Sequence, residues 1–151
     1  MSVKEQIEKD LKTALLARDA DRVSVLRGLK SVILDAEISE GVRGTGLSDD
    51  AVTALMQKQA KQRQESADVY TNAGDSARAE KELAEKQVIE LYLPEQLSED
   101  EVAILVDETI AELGADSQQA MGRVIGAVKA KAKGAADGAV IARIAKERLS
   151  A

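Results

Sequence analysis

The side chains that could do chemistry in this sequence are carboxylates, ammonium and guanidinium groups, because Cys and His are both absent. That removes thiolate metal sites, cysteine nucleophiles and the usual proton carrier at neutral pH. Carboxylates are plentiful but scattered, and the Glu-x-x-His motif of di-iron bundles cannot be written without His. Asp49 and Asp50, or the acids at residues 99–101, have the oxygen chemistry of a Mg²⁺ site. Each group, however, falls in the first turn of an expected helix, where acids complement the dipole. No hydroxyl or amine has a recognisable activating base. No catalytic residue, no cofactor and no metal site is expected.

Binding has more to stand on. The chain carries a formal charge of −6, which favours solubility and argues mildly against a nucleic-acid partner. The charge is unevenly spread along the chain. Residues 98–113 hold six acids and no base, whereas residues 114–151 hold seven bases and three acids, a net of +4. Arg123, Lys129, Lys131, Lys133 and Arg143 are the candidate phosphate contacts in that basic segment. Part of the lysine run is also what a helix C-terminus favours without any ligand. Gly122 and Gly126 lie one helical turn apart. Such a pair is expected to serve tight helix–helix packing, with close approach of an RNA backbone or a partner helix as the alternative. Gly134 and Gly138 flank a turn in which Asp137 should cap the last helix, so its carboxylate already occupies the place an anion would take. Phe and Trp are absent, so stacking on single-stranded bases has no platform, and any RNA would be read by shape and phosphate.

A second candidate surface is polar. The expected inward series of the third helix runs Val52, Met56, Gln59, Arg63, Ser66, Tyr70, apolar at first and polar later. The Gln59, Arg63 and Ser66 row is read as a helix leaving the core, or else as a recognition face or buried polar network. The glycine-rich stretch 41–47 lacks the preceding strand and following Lys-Ser/Thr of a phosphate loop, so it is read as a mobile connector.

The elements that must position these residues are all helices. Ala, Leu, Val, Lys and Glu dominate, and the apolar residues recur at helical spacing. Ser2 with Glu5, and Ser98 with Glu101, read as capping boxes. The first helix carries Ile7, Leu11, Ala14 and Leu15. The second, capped by Asp19 or Asp21, carries Arg22, Leu26, Leu29, Ile33 and Ala36, and ends near Gly41. The fourth is expected to face inward through Ala77, Ala84, Val88 and Leu91. The last three show Val102, Leu105, Val106, Ile110 and Leu113; then Met121, Val124, Ile125, Val128 and Ala132; then Val140, Ile141, Ile144 and Leu149. Pro94, the only proline, forbids helix at the junction. The expected architecture is all-α: an N-terminal arm of about four helices over residues 1–94 and a compact three-helix unit over 95–151. Tyr92 and Leu97 are expected to pack the two parts together. No apolar run approaches the length of a membrane span and no signal-peptide core is visible, so a membrane is not expected and the cytoplasm is the expected compartment.

Three ordered stretches carry a family resemblance: Tyr92-Leu93-Pro94-Glu95-Gln96-Leu97-Ser98, Met121-Gly122-Arg123-Val124-Ile125-Gly126, and Lys133-Gly134-Ala135-Ala136-Asp137-Gly138. Leu26-Arg27-Gly28-Leu29-Lys30-Ser31 and residues 61–66 add to it. With these the whole chain resembles the YqeY-like family. Its C-terminal unit is similar to the tail of the B subunit of glutamyl/aspartyl-tRNA amidotransferase. The resemblance implies an all-helical protein in two parts, associated with tRNA and with an amidotransferase or another translation protein. It also brings a family-level description as a carbon–nitrogen ligase with glutamine as amide donor. The catalytic domains and the glutaminase partner of that larger enzyme have no counterpart in these 151 residues. The expected function is therefore a tRNA-binding or translation-associated accessory module. The alternative is a helical protein–protein adaptor with no RNA ligand.

Overall fold

A computed structural model of the chain describes residues 1–150. Among them are seven α-helices, one short 3₁₀ turn and no strand, so the protein is all-α. The chain forms two compact units, Met1–Leu93 and Pro94–Ala151.

In the first unit, α1 (Val3–Leu16) opens on a complete capping box. The Ser2 hydroxyl accepts from the Glu5 amide at 3.1 Å, and the Ser2 amide donates to the Glu5 carboxylate at 2.8 Å. These bonds hold the Glu5 carboxyl below its ordinary range. Asp19 caps α2 (Ala20–Ser39), accepting from the Arg22 amide at 3.1 Å. Gly41, at φ 71°, follows as the left-handed residue after the helix. Helices α3 (Asp49–Asn72) and α4 (Ser76–Glu90) form an antiparallel pair folded at Ala73-Gly74-Asp75. The core joins Ile7 and Ala14 of α1, Leu26, Leu29 and Ile33 of α2, Val52 and Met56 of α3, and Ile89 with Tyr92. Leu15, expected inside, is exposed.

Two helical faces differ from their sequence expectation. The inward row of α3 is Val52, Met56, Ala60 and Ala67, which keeps the helix packed along its whole length. On α4 the buried residues are Ala79 and Ile89, while Ala77, Ala84 and Leu91 are exposed. Between Ala79 and Ile89 lie half-buried Glu82, Glu85 and Lys86. Arg63 donates to Glu85 at 2.9 Å with Glu82 3.8 Å away, and Lys86 donates to Gln64 at 2.8 Å. The α3–α4 seam is thus alanines and ion pairs, which an apolar stripe does not mark.

In the second unit, Ser98 and Glu101 form the other capping box, at the start of α5 (Glu99–Leu113). Gly114, at φ 60°, stops that helix. A 3₁₀ turn, Gln118–Ala120, leads into α6 (Met121–Ala132), and α7 (Gly138–Ser150) closes the unit. Val102 and Val106, Val124 and Val128, and Ile141, Ile144, Ala145 and Leu149 meet in one core. Each of the valine, isoleucine and leucine side chains contributes about 1.5–3 kcal/mol relative to exposure. Leu113, expected in this core, is exposed. The segment after Pro94 is stitched to the α6–α7 turn. The Gln96 side-chain amide donates to the carbonyls of Pro94 and Gly134, both at 3.0 Å, and the Leu97 amide donates to Ala135 at 2.8 Å. Tyr92 lies in the first core and Leu97 packs on the second.

Candidate nucleic-acid interface

Helix α6 is sorted by its own periodicity. Val124, Val128 and Ala132 are buried, while Gly122, Arg123, Gly126, Lys129 and Ala130 are exposed. At 100° per residue, Gly122, Gly126, Lys129 and Ala130 share one outer face, with Arg123 at its edge. Lys133 follows directly as the C-cap, at φ 46° and ψ 47°. It is one of only two non-glycine residues with positive φ among those described.

The two helical glycines do not serve internal packing. An ideal Cβ placed on Gly122 or Gly126 meets nothing within 4 Å. The packing role expected from their spacing is therefore overturned, because they point away from α5 and α7. Gly134, at φ 86°, turns the chain after Lys133. Gly138 is different in kind: a Cβ there would stand 3.0 Å from Cε and 3.2 Å from Nζ of Lys129. Asp137 caps α7 by accepting from the Ala139 amide at 3.0 Å.

The five candidate bases divide into two groups. Lys131 binds Glu112 at 2.5 Å and the buried Thr109 hydroxyl at 3.1 Å. Arg143 lies 2.7 Å from Glu99 and 3.4 Å from Glu147, and Glu99 raises its pKa further. A sixth base, Arg148, pairs with Asp107 at 2.9 Å. The acids of α5 thus lie alongside the bases of α6 and α7, so the separation of charge along the chain is largely undone in space. Arg123, Lys129 and Lys133 make no ion pair among the described residues and remain on or beside the outer face of α6.

The polar row of α3 is partly engaged by α4. Arg63 is held by Glu85 and Glu82, and Gln59 donates to Gln62 at 3.2 Å. Ser66 and Arg63 line a shallow depression with Gln62, Glu65, Val69 and Tyr70. The Arg78 guanidinium lies 5.8 Å from the centre of the Tyr70 ring.

Two polar networks were not foreseen. Glu37, only 1% exposed, accepts from Lys4 at 2.7 Å and from the Leu47 amide, and its carboxyl is held below its ordinary range chiefly by Lys4. With the Val42 amide on the Glu37 carbonyl at 2.9 Å, this ties down both ends of the glycine-rich loop. That loop is a connector, but an anchored one. The buried Tyr92 hydroxyl donates to Asp10 at 2.6 Å, and Asp10 also accepts from Gln6 at 2.8 Å. Burial, and then Asp10, push the phenol's pKa upward. Both partners lie far apart in sequence, so no local spacing announces them.

Among the described residues no cluster of three or more carboxylates could hold a metal, and no helix is long and apolar enough to cross a membrane. The fold defines a small all-helical protein in two units, whose second unit carries a glycine-bearing helix face edged by unpaired bases. The chain belongs to the YqeY-like family, whose sequence profile matches residues 4–149. That family is related to the C-terminal domain of the amidotransferase B subunit. The chain is also similar to "Altered inheritance of mitochondria protein 41, mitochondrial" of Lachancea thermotolerans, at 33% identity over 109 residues, covering 71% of this chain and 57% of that protein. The protein of the same name from Pyrenophora tritici-repentis is 28% identical over 132 residues, covering 84% of this chain and 71% of the relative. The alignment thus spans little more than half the length of the Lachancea relative.

Proposed function

We propose that this protein is a non-catalytic RNA-binding module that takes tRNA on the outer face of α6, as an accessory to a translation enzyme of the amidotransferase class. The observation that carries this reading is the placement of Gly122 and Gly126. Each glycine in a helix interior costs about 1 kcal/mol relative to Ala. Neither fills a packing need, since nothing lies within 4 Å of an added Cβ. What they provide is bare backbone on a surface where Arg123, Lys129 and Lys133 are unpaired. A phosphate backbone can come close to such a strip and meet cations at its edges. Without aromatic platforms in this unit, shape and phosphate are what would be read. The carbon–nitrogen ligase description belongs to the larger enzyme, because these residues offer no nucleophile or base for amide transfer.

Titrating the full chain into labelled unfractionated tRNA at low salt, by fluorescence anisotropy, tests the reading. With three phosphate contacts the log–log salt slope should be about −2 to −3. An Arg123/Lys129/Lys133 triple alanine should remove it, whereas Arg143→Ala, whose partner is Glu99, should change it little. No affinity of the wild type at low salt, or unchanged binding by the triple variant, refutes the proposal. The adaptor reading draws on the depression at Ser66, Val69 and Tyr70, but α4 occupies its central residue Arg63. Recovery of a protein partner after nuclease treatment, lost on Tyr70→Ala, would favour that reading instead.

A further inference from the structure

Gly138 is the first residue of α7, yet its backbone is not in the left-handed region that calls for glycine. The first helical position accepts almost any residue, and the cap of this helix is supplied by Asp137. The reason for glycine is steric and specific. Beyond its chain neighbours and the backbone of its own helix, the atoms within 4 Å of an added Cβ are Cε and Nζ of Lys129, at 3.0 and 3.2 Å. The lysine stem therefore crosses from the last turn of α6 to lie over the first turn of α7, in the space a side chain would fill. Lys129 makes no ion pair among the described residues that would hold it there.

We infer that Gly138 is a positioning residue for Lys129: its missing side chain seats the lysine across α7, so that the ammonium is presented from one place at the edge of the α6 face. This rests on the RNA-binding reading above and adds to it a residue that need not touch RNA. The physical gain is preorganisation. A free lysine side chain samples many rotamers, and fixing one on binding lowers affinity. With glycine at 138 the conformer that lies across α7 stays open to Lys129, whereas a side chain there would close it. A methyl group at residue 138 meets only the far end of a flexible side chain, so it displaces Lys129 and leaves the helices where they are.

The test uses the full chain, unfractionated tRNA and four proteins: wild type, Gly138→Ala, Lys129→Ala and the double variant. Gly138→Ala should weaken binding about two- to tenfold. It should weaken it no further in the Lys129→Ala background, where a structural lesion in α7 would still show. In the free wild-type protein, an NMR Overhauser contact between Lys129 Hε and Gly138 Hα should be present, and this measurement needs neither RNA nor a folded variant. If the wild type binds and Gly138→Ala binds equally well, the positioning role is wrong while the proposed function stands. Equal losses in both backgrounds, or no Overhauser contact, also overturn it. Failure of the wild type to bind at low salt removes both ideas together.

Discussion

Replacing Gly122 and Gly126 together by alanine should separate stability from binding. Gly126 lies in the interior of α6 and Gly122 is its second residue; both are exposed and have open space where a Cβ would go. Alanine there adds no clash and lowers the conformational entropy of the unfolded chain. About 1 kcal/mol is expected at Gly126 and about 0.5 kcal/mol at Gly122 in the first turn, so the pair should stabilise the second unit by about 1.5 kcal/mol. For a unit of this size that is a rise of roughly 6–12 °C in its melting transition. Binding of tRNA should move the opposite way, because two methyl groups now stand on the strip that the phosphate backbone would approach. Circular dichroism melts and anisotropy titrations on the same samples provide both readings. A loss of stability would show that the glycines pack against something and that the outward placement is wrong. A gain in stability with unchanged affinity would show that close approach plays no part in binding.

Lys133→Gly should act in the same sense at one residue, adding about 1 kcal/mol by relieving a left-handed lysine while weakening tRNA binding, as melts and titrations would show. Tyr92→Phe should cost the first unit about 1–2 kcal/mol in urea unfolding, because Asp10 Oδ2 loses the phenol donor in a half-buried setting while Oδ1 keeps Gln6. Glu37 gives the first unit an acid limit. Its carboxyl is held below the ordinary value near 4.5, so its stabilising effect is fully present above that pH and is lost as the pH falls through the lowered value. Glu37→Gln should flatten that part of the stability–pH curve, and an unaltered acid limb would show that another group sets it.

The features legible in the sequence are those written in local chemistry. The two capping boxes, the glycine stops at Gly41 and Gly114, and the aspartate caps at Asp19 and Asp137 each depend on residues within a turn of one another. The core stripes of α5, α6 and α7 were readable largely because valine and isoleucine mark them at helical spacing. The face of α4 was not readable, since it is buried through Ala79 and Ile89 with charged residues between, and those charges find their partners on α3, about 22 residues away. The same limit hid the pairing of α5 acids with α6 and α7 bases: composition counts charges along the chain, and pairing depends on which helices become neighbours. The outward side of Gly122 and Gly126 follows from their neighbours, because the inward stripe of Val124, Val128 and Ala132 lies across the helix from them. Small residues one turn apart suggest packing all the same, and the open space around an added Cβ is what decides against it.

Both tyrosines, Tyr70 and Tyr92, belong to the first unit, and no Phe or Trp occurs anywhere in the chain. The second unit, built from valine, isoleucine, leucine, methionine and alanine, is consequently dark in the near ultraviolet. Intrinsic tyrosine emission therefore follows the unfolding of residues 1–93 alone, whereas far-ultraviolet dichroism reports all seven helices. A difference between the two melting curves would measure how independently the units unfold, without any label. A single tryptophan introduced at exposed Ala130 would report ligand binding on α6 as the only indole in the molecule.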